Sequence, residues 1–79
     1  MLDGVERSRI VMVPGVLGGK PVIRGTRISV EHVLDSLAAG ETIDELLVDY
    51  PFLSREDLLA AIEFGSTAVR NQYPVASGS

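Results

Sequence analysis

Apolar residues recur at helical spacing in the middle of the chain. The first series occupies positions i, i+3, i+4, i+7 and i+8, which share one face of an α-helix: Val30, Val33, Leu34, Leu37 and Ala38. Ser29 precedes the series and is a residue type that commonly caps a helix N-terminus. Gly40 follows the series and favours the end of a helix. The pattern predicts an amphipathic helix between these two residues.

Two more helices are predicted, and both have clear end signals. Thr42 and Glu45 have the spacing of a capping box, and Pro51 stops the helix that they begin. Ser54 and Asp57 repeat that spacing at the start of the third helix. The predicted buried positions of the two helices are Ile43, Leu46, Leu47, Tyr50, Leu58, Ala61, Ile62, Gly65 and Val69. With the turn at 49–53 between them, the two helices have the layout of a helix-turn-helix.

The N-terminal third has a different pattern. Arg9–Val13 is mostly β-branched and apolar and ends at a Pro-Gly pair, which predicts a strand. Pro21–Arg24 is a second extended segment, and the two can pair antiparallel. The sequence therefore predicts a mainly α fold of three helices preceded by a short β-hairpin. This single domain spans residues 9–70, with a flexible N-terminus at 1–8 and a flexible tail at 71–79.

Composition restricts the class of protein. Seventy-nine residues with 46% apolar content are enough for one small core and too apolar for a disordered chain. The chain contains no cysteine, which excludes disulfides and thiolate metal sites and fits a reducing compartment. No apolar stretch approaches the length of a signal peptide or a membrane span. We expect a soluble cytoplasmic protein that does not associate with membranes.

Charge is divided unevenly along the chain. Residues 1–27 hold five of the seven cations and two carboxylates, a net charge of +3, whereas residues 28–79 hold two cations and nine carboxylates, a net charge of −7. The acidic total of −4 argues against indiscriminate nucleic-acid binding, while the basic third permits a local anion site. The two parts could instead pair with each other or with water, and the sequence leaves this alternative open.

The segment Gly18–Arg27 joins the hairpin to the helices and concentrates glycine and cations. It is either a tight corner or a group of backbone N–H groups and cations that binds an anion. The phosphate-binding-loop pattern fails here, because Pro14 stands where its first glycine is needed and Pro21 where its hydroxyl is needed. No helix follows the glycines directly, so a dinucleotide fingerprint fails as well. We expect no nucleotide and no other cofactor, and the cations have no structural task that the sequence reveals.

The sequence offers little support for catalysis. His32 is the only histidine, lies off the apolar stripe and is expected to be solvated, and no cysteine is present to act beside it. Most carboxylates lie near predicted helix N-termini, where they favour the helix dipole without any further role. We therefore expect no catalytic residue, no metal site and no enzymatic activity. A metal-dependent enzyme that uses the acidic helix ends is the alternative.

The predicted helix-turn-helix is a poor reader of the DNA major groove. Its second helix presents Arg55 but also Glu56 and Asp57, which repel phosphate. Any DNA contact should then come mainly from cations outside that helix. The candidate contact residues are Lys20, Arg24, Arg27, Arg9 and Arg55. That the three helices serve only as a scaffold is the open alternative.

One motif resembles a known family. The run Gly18-Gly19-Lys20-Pro21, Ile23 and Gly25-Thr26-Arg27 closely resembles the core of the domain of unknown function 433 family. The similarity extends from about Arg9 to Val69, and its further matching positions are Ala39-Gly40, Asp49-Tyr50-Pro51, Leu53, Asp57-Leu58 and Ala60-Ala61. The structural signature residues carried over from it are Gly18, Gly19, Pro21, Gly25 and Thr26.

The resemblance implies a homeodomain-like fold related to the winged helix. It also implies a role as the antitoxin of a VapBC-like pair, whose toxin is a PIN-like ribonuclease encoded next door, and such antitoxins usually bind their own operator DNA. Only a short, nearly uncharged segment follows the third helix, so we expect neutralisation by the folded body of the protein. The alternative function is a structural or adaptor domain that binds protein and no DNA. The unpaired edge of the Arg9–Val13 strand further predicts a homodimer.

Overall fold

The computed structural model of the protein describes residues 9–72, so the predicted flexible N-terminus at 1–8 and residues 73–79 of the predicted tail at 71–79 lie outside this range. The described chain contains two strands and three α-helices: β1 (Ile10–Met12), β2 (Pro21–Ile23), α1 (Val30–Ala38), α2 (Ile43–Asp49) and α3 (Arg55–Gln72). A 3₁₀ turn, Leu17–Gly19, lies between the strands. This is the predicted arrangement of three helices preceded by a hairpin. The third helix runs two residues beyond the predicted boundary at residue 70.

Strand β2 lies between β1 and the chain that leads into α1. The two strands pair antiparallel, with Ile10 opposite Ile23 and Met12 opposite Pro21, which confirms the predicted hairpin. On the other side of β2, Val22 forms an antiparallel bridge with Ser29. The short hairpin is therefore held in place by the segment that caps the first helix.

All three predicted N-caps are present, and they explain why the helices begin where they do. The Ser29 hydroxyl accepts a hydrogen bond from the backbone N–H of the third helical residue of α1 at 2.9 Å. Thr42 and Glu45 form a reciprocal capping box, with N···O distances of 3.1 and 2.8 Å. Ser54 and Asp57 do the same for α3, at 3.1 and 2.9 Å. Each capping box gives hydrogen-bond acceptors to two backbone N–H groups that would otherwise lack partners at the start of a helix.

The core lies where α1, α2 and α3 meet the hairpin. Its fully buried members are Ile23, Val30, Val33, Leu46, Leu53, Leu58 and Ala61. Helices α1 and α3 approach closely at Gly65, where an added Cβ would lie 2.6 Å from Cδ1 of Leu34. The predicted buried position Val69 is wrong, since its side chain is 59% exposed. The two helices differ in length: α3 has 18 residues and α1 only nine, so α3 is roughly 13 Å longer and α1 cannot cover it along its whole length.

Candidate functional site

A hydrogen-bonded turn links β2 to α1 and carries two of the candidate arginines. The backbone N–H of Thr26 donates to the carbonyl of Ile23 at 3.0 Å, and Gly25 occupies the third position of the turn with a φ of +77°. A type II turn requires a positive φ at that position, which is why glycine is needed there. The Thr26 hydroxyl donates to the same Ile23 carbonyl at 2.7 Å and accepts from the Ile28 N–H at 3.0 Å. These bonds fix the shape of the turn.

This basic turn, residues 24–27, holds Arg24 and Arg27 on either side of Gly25-Thr26, and both arginines are exposed. The backbone N–H of Arg24 donates to the carbonyl of Arg9 at 2.7 Å, so Arg9, which directly precedes β1, lies at the same end of the hairpin. Within residues 9–72 the Arg27 side chain takes part in no hydrogen bond or ion pair. The fold thus brings three of the five predicted contact residues to one end of the hairpin.

The guanidinium of Arg9 is held by the first turn of α3. Its Nη1 lies 2.9 Å from Oδ1 of Asp57, whose side chain is only 17% exposed. Burial alone would raise the pKa of Asp57, but hydrogen bonds from Ser54 and Arg9, together with the charge of Arg9, outweigh burial and hold the pKa below its ordinary value of 3.8. This carboxylate therefore remains charged at neutral pH and links the hairpin to the third helix.

The other two candidate cations lie elsewhere and also have carboxylate partners. Lys20 lies at the opposite end of β2, and its Nζ is 3.2 Å from Oε1 of Glu31 on α1. Arg55 pairs with Asp44 of α2 across an exposed surface. The sequence revealed no structural task for the cations, and the structure gives an ion pair to Arg9, Lys20 and Arg55. Pairing between the two parts of the chain, which the sequence left open, accounts for Arg9 and Lys20.

Two of the predicted signature glycines form the corner before β2. Gly18 and Gly19 have φ values of +67° and +82° in the 3₁₀ turn, where the Lys20 N–H donates to the Leu17 carbonyl at 3.2 Å. Side chains rarely adopt such φ values, so glycine is favoured at both positions. Pro21 then begins β2. The glycines therefore turn the chain, as the sequence suggested, and the Gly19 N–H donates to the Val16 carbonyl at 2.9 Å within this turn.

An apolar groove of about 380 Å³ opens beside Lys20, between the start of β2 and helices α1 and α3. Its apolar lining includes Pro21, Val30, Leu34 and Phe64, and the Lys20–Glu31 pair lies at its rim. Sequence reasoning missed this groove because it depends on how closely α1 and α3 pack. A glycine within the apolar stripe of α3, at position 65, was the only signal of that close approach.

Two aromatic rings in the turn between α2 and α3 lie in series with the ring of His32 on α1. His32 Nε2 and the Tyr50 hydroxyl lie 2.9 Å apart and share a hydrogen bond, and their rings meet edge to face at 5.8 Å. Phe52 continues the series, with its ring 6.1 Å from that of Tyr50 in the same geometry and its side chain 63% exposed. The sequence predicted a solvated histidine and a buried tyrosine. His32 is exposed, as predicted, but is hydrogen-bonded to Tyr50, which is half-buried and packs against the core.

Within residues 9–72, no group of three or more histidine, cysteine, aspartate or glutamate residues has the geometry to hold a metal ion. No helix in the same range has the length and apolar content to cross a membrane.

Comparison with known proteins identifies the family. A family profile described as "Protein of unknown function (DUF433)" matches residues 10–65. The chain is 36% identical over 77 residues to the "Uncharacterized protein y4eO" of Sinorhizobium fredii (strain NBRC 101917 / NGR234). It is also similar to the crystal structure of a DUF433 member protein from Anabaena variabilis ATCC 29413, with 37% identity and a TM-score of 0.74. The chain belongs to the DUF433 family.

The matched relatives are longer than the region of similarity. The alignment with the Sinorhizobium protein covers 94% of this chain but 35% of the relative. The alignment with the Anabaena structure covers 90% of this chain and 65% of the solved chain. The family membership and the fold are therefore shared. The activity of the longer relatives is not transferred to this chain.

Proposed function

We propose that the protein is a non-enzymatic, cytoplasmic binding module of the VapB-like antitoxin kind, which neutralises a PIN-like ribonuclease. The observation that supports this most directly is the basic turn. Arg24 and Arg27 project from a backbone held by three hydrogen bonds, so little conformational entropy is lost when the turn meets a partner. Metal-dependent nucleases gather carboxylates at their active sites, and guanidinium groups are complementary to carboxylates in both charge and geometry.

Binding through the folded body is favoured over reading DNA with α3. The first turn of α3 carries Glu56 and Asp57, and its one cation, Arg55, is already paired with Asp44 on α2. A helix with this charge pattern is repelled by phosphate. Protein neutralisation through the basic turn is therefore the primary proposal. Operator binding is the second candidate, supported by the same exposed arginines and carried by the turn, not by α3.

The toxin half of the proposal is tested by co-expression with the neighbouring open reading frame. We expect the two proteins to co-purify and the complex to leave a test RNA intact. The double variant R24Q/R27Q should lose both properties, because it removes two cations from the contact. The matched control R70Q removes an exposed arginine from the far end of α3 and should behave like the parent protein. Loss of neither property in R24Q/R27Q would overturn the proposal.

The operator half is tested by titrating the upstream intergenic DNA at two salt concentrations. We expect binding to weaken as salt rises, since each phosphate contact releases a counterion. Each arginine lost from the basic turn should reduce the slope of log K against log [salt] by about one. An affinity that does not change with salt would remove the operator candidate.

The alternative is a structural or adaptor domain that binds protein and no DNA. Its signature would be a partner that binds R24Q/R27Q as well as it binds the parent protein. We further propose a homodimer, because β1 pairs only with β2 among the described residues and its outer edge offers unpaired backbone groups. Light scattering that gives the mass of a single chain at micromolar concentration would exclude the homodimer.

A further inference from the structure

We propose that His32, Tyr50 and Phe52 form a second docking surface, the aromatic ledge, which binds an arginine- or lysine-bearing segment of a protein partner. The ledge lies on the helical part of the molecule, whereas the basic turn lies at the end of the hairpin. The ledge would bind a cationic partner, whereas the basic turn would bind an acidic one. The proposal therefore stands or falls independently of the antitoxin function.

The rings of the ledge are ordered before any partner arrives. The hydrogen bond between His32 and Tyr50, at 2.9 Å, fixes the central ring, and Phe52 packs edge to face against it. Phe52 is nevertheless 63% exposed, so most of its surface is available for contact. Rigid, exposed aromatic side chains typically dominate the binding energy of protein interfaces, because they bury a large area at low entropic cost.

The charges around the ledge select a cationic partner. Asp49 directly precedes Tyr50 in the chain, and Asp35, which also lines the apolar groove, lies one helical turn after His32 on α1. Both carboxylates are exposed, and neither has a side-chain partner within residues 9–72. The surrounding field is also negative, since residues 28–72 hold nine carboxylates and two arginines, a net charge of −7. Phosphate and acidic segments are repelled by such a surface, whereas an arginine or lysine gains both the carboxylates and the aromatic faces.

The combination of aromatic rings and carboxylates favours a particular kind of cationic segment. A guanidinium can stack on an aromatic face while its N–H groups reach a carboxylate, and an ammonium gains the charge without the stacking. An aliphatic residue next to the cation would cover the apolar surface of Phe52. The ledge is therefore suited to a short segment of alternating basic and apolar residues on the surface of a protein partner.

The test is an NMR titration of the 79-residue chain with a capped peptide of alternating arginine and leucine. We expect amide shifts centred on positions 32, 49, 50 and 52. The variants F52A and D49N should each weaken binding on the order of threefold to tenfold. V48A is the matched control. Val48 is 78% exposed on α2, two residues before Tyr50 and therefore on a different face of the helix, so the variant should bind like the parent protein.

Two further comparisons make the result decisive. A peptide with glutamate in place of arginine should bind much more weakly, and a lysine peptide should bind with intermediate affinity. Because the side chains of Phe52 and Asp49 are exposed, circular dichroism should show both variants folded. Equal affinity of F52A and V48A, equal binding of the glutamate peptide, or shifts centred on the apolar groove would each overturn the proposal.

Discussion

The contact between Asp57 and the start of the hairpin should be the most valuable polar interaction in this small domain. Asp57 accepts a hydrogen bond from the Ser54 backbone at 2.9 Å and another from Arg9 at 2.9 Å. The substitution D57A removes both acceptors at once. It leaves a backbone N–H without its partner at the start of α3 and leaves Arg9 without its carboxylate.

The expected cost follows from the exposure of each partner. A hydrogen bond to a charged group is worth about 1.5–3 kcal/mol where the group is sheltered, and the Asp57 side chain is 17% exposed. The Arg9 side chain is 45% exposed, so the ion pair itself adds no more than about 1 kcal/mol. We expect D57A to lower the free energy of unfolding by about 2 kcal/mol. In a domain of this size such a loss lowers the melting temperature by roughly 10 °C.

Thermal and urea unfolding of four variants separates the contributions. D57N keeps an acceptor for the Ser54 N–H but loses the charge, so it should cost less than D57A. R9Q tests the ion pair alone. D44N is the control, because it breaks the exposed Arg55 pair and should cost less than about 1 kcal/mol. A D57A loss no greater than that of D44N would refute the reasoning.

The pH dependence provides an independent check on the same carboxylate. The folded pKa of Asp57 is lower than its ordinary value of 3.8, so the folded state favours the charged form. The stabilisation is therefore fully present above pH 3.8 and is lost as the pH falls through the lower folded pKa. The difference in stability between the parent protein and D57N should shrink in that acidic range. A constant difference down to the acid transition would show that the charge of Asp57 plays no part.

Four further substitutions test the turn and the core. G25A places a Cβ at a φ of +77° and should cost about 1–2 kcal/mol in urea unfolding, and a neutral result would mean that the turn relaxes freely. T26V removes a hydroxyl that bonds two backbone groups and should cost about 1–3 kcal/mol, and an unchanged midpoint would contradict that role. L46A empties a site that is 1% exposed and should cost about 2–5 kcal/mol, whereas L59A, at a site 49% exposed, should cost clearly less. Equal losses for the two leucine variants would argue against the described core.

The helix boundaries could be predicted because their signals are local. Each cap joins residues three apart, so the sequence itself places the hydroxyl beside the backbone N–H that it accepts from, as at Ser29 and Thr42. The hairpin was predictable for a similar reason. A Pro-Gly pair ends the first strand, and β-branched residues occur in both strands. The turn at Gly25 follows from the same logic, because its glycine supplies the positive φ.

The partners of the cations could not be predicted in the same way. Arg9 and Asp57 are 48 positions apart, and the sequence holds nothing that selects this carboxylate over its neighbours. Tyr50 was expected to be buried because its spacing fits the apolar stripe of α2, and it does pack against the core, but its hydrogen bond with His32, 18 positions away, could not be predicted. The exposure of Val69 depends on the unequal lengths of α1 and α3, a property of two elements together.

Gly65 sets the distance between α1 and α3, and this makes a single backbone position responsible for the shape of a surface. A glycine inside a helix sacrifices about 1 kcal/mol of helix propensity relative to alanine. Here the absence of a side chain leaves room for Leu34, whose Cδ1 lies only 2.6 Å from where a Cβ would be. A methyl group at position 65 would force the flexible end of Leu34 to move, and both residues line the groove. A single substitution at position 65 should therefore change the shape of the groove while the caps and the hairpin remain as they are.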